Sequence, residues 1–194
     1  MKPRVIGILG RVCSGKSTVA EMLGSLGARV FDADKRAHEL LESPEIKEKV
    51  LKRWGRGLLG KEGKIDRGRL AGIVFSDGEA LKELTTLLHP PILESLRREM
   101  GQKESSPLVL DVALLLETGL DELCDLLIFV EVEPGVREAR ARLKGWSTEE
   151  VQRREAFQSP ESKKRAKAHL VVNNNFSKEE TLRQLKDFWQ KSVL

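Results

Sequence analysis

Cysteine is scarce in this chain. Its 194 residues contain two, Cys13 and Cys124, enough for one disulfide at most, and neither stands in a CxxC pair or near a histidine at metal-ligand spacing. A disulfide-stapled secreted scaffold and a cysteine-held zinc site are therefore excluded, and a reducing cytoplasm fits best. Long apolar runs are missing as well. The longest, Leu108 to Leu116, is broken by Asp111 and falls far short of the roughly 20 residues a membrane helix needs. The N-terminal run Val5 to Leu9 is too short for the apolar core of a secretory signal and reads as a strand. No internal repeat and no low-complexity linker appears. An excess of one charge is nearly absent: 34 Lys+Arg against 30 Asp+Glu leave +4, which argues only weakly for an anionic ligand.

What is present is a mixture able to collapse, with 40% hydrophobic and 33% charged residues over a length that suits one domain with an insertion. Short apolar runs at Val5 to Leu9, Arg29 to Phe31, Leu108 to Val112, Leu126 to Val132 and Leu170 to Val172 read as strands of a parallel sheet buried on both faces. Helical patterns separate them. Val19, Met22, Leu23 and Leu26 repeat at one helix face, and Ser177 with Glu180 forms a capping box ahead of Leu182, Leu185, Phe188 and Trp189. This alternation is α/β grammar.

Residues 35–106 offer no convincing strand and recurrent helix starts: Ser43-Pro44, Ser76 with Glu79, and His89-Pro90-Pro91 ahead of Ile92. They read as a helical insertion, interrupted by a Gly-rich basic loop, Trp54 to Lys64, expected to be exposed. The core then comprises 1–34, 107–136 and 168–194. Residues 137–167 are rich in arginine and lysine, with Ser147 and Ser159-Pro160 opening two short helices. As a mobile lid, they would bring arginines over a transferring phosphoryl group and exclude water; as a solvated helical face, arginines such as Arg137 and Arg142 would instead pair with neighbouring glutamates. As a nucleic-acid surface they are poor, since Trp146 and Phe157 are their only aromatics. Neither nucleic acid nor membrane is an expected partner.

Gly10-Arg11-Val12-Cys13-Ser14-Gly15-Lys16-Ser17 matches G-x-x-x-x-G-K-[ST] between an apolar strand and an amphipathic helix. Successive main-chain N–H groups there form a nest for phosphate, reinforced by the helix dipole, and Gly10 and Gly15 permit the close approach. Cys13, Ser14, Gly15, Lys16, Ser17 and Thr18 are the candidate nucleotide-binding residues. Lys16 supplies charge to the β- and γ-phosphates, and the Ser17 hydroxyl can complete the oxygen shell of Mg²⁺, so the expected ligand is a magnesium-bound nucleoside triphosphate. Asp32-Ala33-Asp34 follows the second strand. One of the two acids could accept a proton from an attacking hydroxyl, the other orient a basic group or metal-bound water, and Asp32 could equally cap the next helix. Asp111 ends the strongest strand, as a metal-holding acid would, and capping or packing accounts for an acid there equally well.

These motifs, together with Val74-Phe75-Ser76-Asp77, Leu88-His89-Pro90-Pro91-Ile92, Leu110 to Glu117, Arg154 to Gln158 and Val172-Asn173-Asn174, make the chain resemble the dephospho-coenzyme A kinase family over nearly its whole length. The resemblance implies a P-loop kinase core with a parallel sheet, a helical substrate-binding insertion and a lid. It further implies ATP-dependent phosphorylation of the ribose 3′-hydroxyl of dephospho-coenzyme A, with Mg²⁺ as cofactor. By the same resemblance Asp34 is the catalytic base, Lys16 and Ser17 hold phosphates and Mg²⁺, and Arg140 stabilises the transferring phosphoryl; Asp111 stays a metal candidate from its strand-end position. His89 and the Leu114 to Glu117 segment, Leu115 and Glu117 included, would line the coenzyme A side, and Asp32 is a further substrate-binding candidate from its place after the second strand. The chain departs from the family pattern at Arg11 and Cys13, where glycine is usual, at Ala113 for proline, and at Lys144, where arginine is common.

Overall fold

The computed structural model describes residues 4–102 and 105–193. The five apolar runs form strands β1 (Val5–Gly10), β2 (Arg29–Asp32), β3 (Leu108–Asp111), β4 (Leu126–Glu131) and β5 (Leu170–Asn173). All pair in parallel, in the spatial order β2-β3-β1-β4-β5. Every residue of β1 and β3 is buried, which explains their unbroken hydrophobicity. β3 flanks β1 on one side and β4 on the other, so the chain reverses its winding direction there. The carboxyl end of β1 is therefore the switch point at which such sheets open a crevice for ligands.

Helix α1 (Lys16–Ser25) contributes Val19, Ala20 and Leu23 to the main core, and α9 (Lys178–Ser192) contributes Leu185, Phe188 and Trp189. They pack against Ile6, Ile8, Val109, Ile128, Val130 and Val172. Burying an aliphatic or phenyl side chain of this size contributes roughly 1.5–3 kcal/mol, so this layer anchors both helices to the sheet. The capping boxes form as the local sequence directs. Ser177 Oγ accepts from the Glu180 N–H at 3.2 Å to start α9, and Ser147 Oγ accepts from the Glu150 N–H at 3.2 Å to start α7 (Thr148–Glu155). Helices α6 (Pro134–Leu143) and α8 (Glu161–Lys167) complete this compact unit, which comprises Met1–Asp32 and Gln102–Leu194.

A second compact unit, Ala33–Gly101, holds α2 (Ala33–Leu41), α3 (Pro44–Trp54), α4 (Arg67–Val74) and α5 (Gly78–Met100) around Leu41, Val50, Leu58, Ile65, Leu70, Val74 and Leu88. Its described residues contain no strand beyond one isolated bridge between Leu59 and Ile65.

Three local expectations are corrected here. The Trp54–Lys64 loop is not wholly exposed: Leu58 is 2% exposed and joins the core. Helix α5 is capped by Asp77, whose carboxylate accepts from the Glu79 N–H at 2.9 Å, while the Ser76 hydroxyl donates back to the Gly72 carbonyl. No helix starts at His89-Pro90-Pro91, because both prolines lie inside α5. Proline lacks the N–H for the preceding turn, but Ala80, Leu88 and Leu96 are buried on both sides of the pair, and that packing outweighs the missing donors. No described helix is long and apolar enough to cross a membrane.

Candidate active site

The loop between β1 and α1 is built as a nest. Cys13 has φ 61° and Gly15 has φ 94°, with Ser14 between them, so the peptide planes alternate and successive N–H groups converge. Gly15 is the residue that the position demands. A Cβ there would overlap Asn174 Nδ2, and one at Gly10 would overlap Ser14 Oγ. Cys13 adopts the same region with a Cβ, at a cost of about 1–2 kcal/mol that a glycine would not carry. Helix α1 has no side-chain N-cap and no acid in its first turn. Its first N–H groups and the positive end of its dipole are thus left for an anion.

Glycine 15 yields a direct prediction. Gly15→Ala combines a positive φ with a clash against Asn174, whose amide donates to the Ser14 carbonyl at 2.8 Å and whose oxygen accepts from Thr181 Oγ1 at 3.0 Å. Destabilisation of about 3 kcal/mol is expected in urea unfolding, and a variant as stable as its parent would contradict this account of the loop.

Alternate carbonyls of the loop are each held by a cation from residues 137–167. Lys164 Nζ donates to the Gly10 carbonyl at 3.1 Å, Arg137 Nη1 to that of Val12 at 3.4 Å and Arg140 Nη1 to that of Ser14 at 3.0 Å. Arg140 Nη2 donates in addition to the Asn174 carbonyl at 2.8 Å. The residue expected to reach over a phosphoryl group therefore has both terminal nitrogens on main-chain oxygens of this unit. Arg11 takes part in the same framework. Its guanidinium makes a two-pronged pair with Glu155, at 3.0 and 2.7 Å, and a further contact with Glu161 at 3.3 Å. Arg137 also pairs with Glu155. Burial pushes the Glu155 carboxyl up, but the hydrogen bonds and charges of Arg11 and Arg137 outweigh it and leave it below the usual carboxylate range.

Lys16 folds back over the loop, donating to the Arg11 carbonyl at 3.1 Å and to that of Gly10 at 3.4 Å. It lines a shallow cleft with Gly10, Val112, Ala113, Glu117 and Lys164. Ser14 Oγ is buried beneath the loop without a hydrogen-bond partner among the described residues, and Ser17 and Thr18 stand in the first turn of α1. Glu117 accepts from the Ser159 N–H, which joins the segment after β3 to the start of α8. Leu115 is 2% exposed and packs close to Gly7, so its side chain serves the core beside the cleft.

Asp32 and Asp111 are register partners at the carboxyl ends of β2 and β3. Among the described residues no group of three or more His, Cys, Asp or Glu side chains could hold a metal by itself. The donor set, an exposed Ser17 hydroxyl and a carboxylate at a strand end, nevertheless fits Mg²⁺. That ion keeps waters and takes phosphate oxygens beside one or two protein groups.

In the second unit Asp34 is exposed in the first turn of α2. His89 lies on α5, and its Nε2 is buried without a partner among the described residues, the state of a nitrogen with hydrogen-bonding capacity to spare. Cys13 and Cys124 are both free thiols, and burial pushes the Cys124 thiol up to about 12, which leaves it inert at neutral pH.

Lys164, Arg137 and Asn174 were not singled out by sequence reasoning as part of the cradle. The only signal for the first two was the density of basic residues, and Asn174 showed only as part of the Val172-Asn173-Asn174 motif. The dephospho-CoA kinase family model matches residues 4–180. A dephospho-CoA kinase of Aquifex aeolicus is 37% identical over 188 residues, covering 96% of each chain. A crystal structure from Thermus thermophilus superposes with a TM-score of 0.80 at 36% identity over 100% of both chains. The dephospho-CoA kinase of Campylobacter jejuni superposes with a TM-score of 0.64 at 26% identity, covering 98% of each. A family match across nearly the whole chain, on a parallel-sheet core with a phosphate nest at its switch point, shows that this chain belongs to the dephospho-CoA kinase family.

Proposed function

We propose that the protein transfers the terminal phosphoryl group of ATP to the ribose 3′-hydroxyl of dephospho-CoA, releasing coenzyme A and ADP, the last step of coenzyme A synthesis. The observation that carries this reading is the loop from Gly10 to Lys16: a strained nest opening on an uncapped, acid-free helix start, in a chain of that family. Main-chain N–H groups of residues 13–18 bind the phosphates, and Lys16 turns from the loop carbonyls to the β- and γ-phosphate oxygens. Ser17 and Asp111 would hold Mg²⁺, which when bound neutralises charge across the β- and γ-phosphates. Asp34 accepts the proton of the attacking hydroxyl, and Asp32 orients groups beside Asp111. His89, Leu115 and Glu117 are the dephospho-CoA-binding residues of this reading. The two unbridged thiols suit a reducing compartment, the cytoplasm.

The test is ADP release measured with dephospho-CoA beside adenosine, AMP and shikimate. Only dephospho-CoA should stimulate turnover strongly. A rate raised as much by shikimate or AMP would assign the cradle to a different small-molecule kinase.

Arg140 acts first on the loop, since its guanidinium spans the Ser14 and Asn174 carbonyls. Arg140→Lys keeps the charge but loses the two-carbonyl span. KM for ATP is expected to rise about tenfold with a smaller change in kcat. A fall in kcat at constant KM would place the guanidinium on the transferring group instead.

A further inference from the structure

We infer that Lys164 is a positioning residue for nucleotide binding: its ammonium holds the Gly10 carbonyl, the oxygen on which Lys16 also rests in the ligand-free protein, and so readies Lys16 to move to the phosphates. The inference rests on the nucleotide reading of the loop and names a residue to which that reading gives no role.

The geometry is specific. Lys164 is 3% exposed, far below what a surface lysine shows, and it lies on a seven-residue helix with otherwise solvated cations. Its Nζ has two acceptors, the Gly10 carbonyl at 3.1 Å and Gln158 Oε1 at 2.6 Å. Gln158 in turn donates from Nε2 to the Ala113 carbonyl at 3.2 Å, so the ammonium is braced against the segment that follows β3. The ammonium thus ties the Gly10 carbonyl, at the start of the loop, to the segment after β3. The same oxygen also receives Lys16 at 3.4 Å. Two ammonium groups thus converge on one carbonyl and line one cleft. Such a pair is costly while the cradle is empty and favourable once a polyanion arrives, because the phosphates attract both charges and draw Lys16 away.

The groups facing Lys164 are Lys16 of α1, Arg11 of the loop, Glu117 after β3 and Glu155 of α7. Burial, then the charge of Lys16, lower its pKa to about 8, against the opposing pull of Glu117 and Glu155, with Arg11 a smaller lowering influence. The charged form is therefore the one that phosphate stabilises. By linkage, nucleotide binds better to protonated Lys164, and affinity is retained below about pH 8 and lost as pH rises beyond it.

The experiment measures Mg·ADP affinity by calorimetry from pH 7 to 9.5 on the full chain. For the parent protein, affinity should weaken about tenfold across that range. Lys164→Met should bind about tenfold more weakly at pH 7 and change less than about twofold with pH, whereas Lys164→Arg should hold its pH 7 affinity throughout. A Lys164→Met variant that follows the parent in both affinity and pH profile overturns the inference. If that variant shows no cooperative melt, Gln158→Leu decides. Loss of one acceptor should weaken binding about threefold and move the alkaline fall to lower pH, and an unchanged profile overturns the inference. Lys16→Ala separates the two levels. If it binds ADP as the parent does, the nucleotide reading itself fails. If it loses ADP while Lys164→Met behaves as the parent does, only the role of Lys164 fails.

Discussion

Asp34→Asn is expected to lower kcat by about 10²–10⁴-fold, the range that one positioned general base supplies, while the affinity for ATP changes less than about threefold. Asparagine keeps the size and polarity of the side chain but has no carboxylate to take the proton of the ribose hydroxyl. The fold should be indifferent, because Asp34 is exposed in the first turn of α2 and leaves the buried Ala33 beside it untouched. The loss of an acid at a helix start costs only about 0.3–1 kcal/mol. Single-turnover measurement of the transfer step, with ATP affinity measured separately, checks the prediction. A parallel loss of both quantities would make Asp34 a binding residue rather than the base.

Lys16→Ala should reduce turnover by about 10³-fold and remove measurable Mg·ADP binding if, as proposed, this side chain is the point charge that crosses from the loop to the phosphates. Stability should be unchanged or slightly higher. In the ligand-free protein Lys16 Nζ shares the Gly10 carbonyl with Lys164, and removing it relieves a like-charge contact near a buried ammonium. A binding residue whose loss leaves the protein at least as stable is what a site built for function rather than for stability shows. Thermal melting beside the turnover assay tests both parts. A strongly destabilised variant, or one with undiminished turnover, would contradict the assignment.

The features legible in the sequence are those whose signals are local. The five strands announced themselves because a strand buried on both faces must be apolar along its length, and the Ser147 and Ser177 caps because a hydroxyl three residues ahead of a glutamate needs no distant partner. The same local logic misplaced the start of α5. A Ser76 cap and a helix start at Pro90 are both sound readings of short windows, but Asp77 takes the cap and the helix runs through both prolines, held by Ala80, Leu88 and Leu96. Residues that act as a hydrophobic layer cannot be weighed one window at a time.

The phosphate loop divides along the same line. Its glycines, its lysine and its place between strand and helix were written in eight consecutive residues, and these determined that its main-chain amides would form a nest ahead of an uncapped helix start. Which carbonyls are restrained, and by what, was decided only by folding. Lys164, Arg137, Arg140 and Asn174 reach the loop from 125 to 160 positions away along the chain. Nothing in their immediate sequence distinguishes them from the solvated cations and amides around them. A charge acquires its role from the dielectric and the partners around it, and for these side chains both exist only once α6, α8 and β5 have closed around the end of β1.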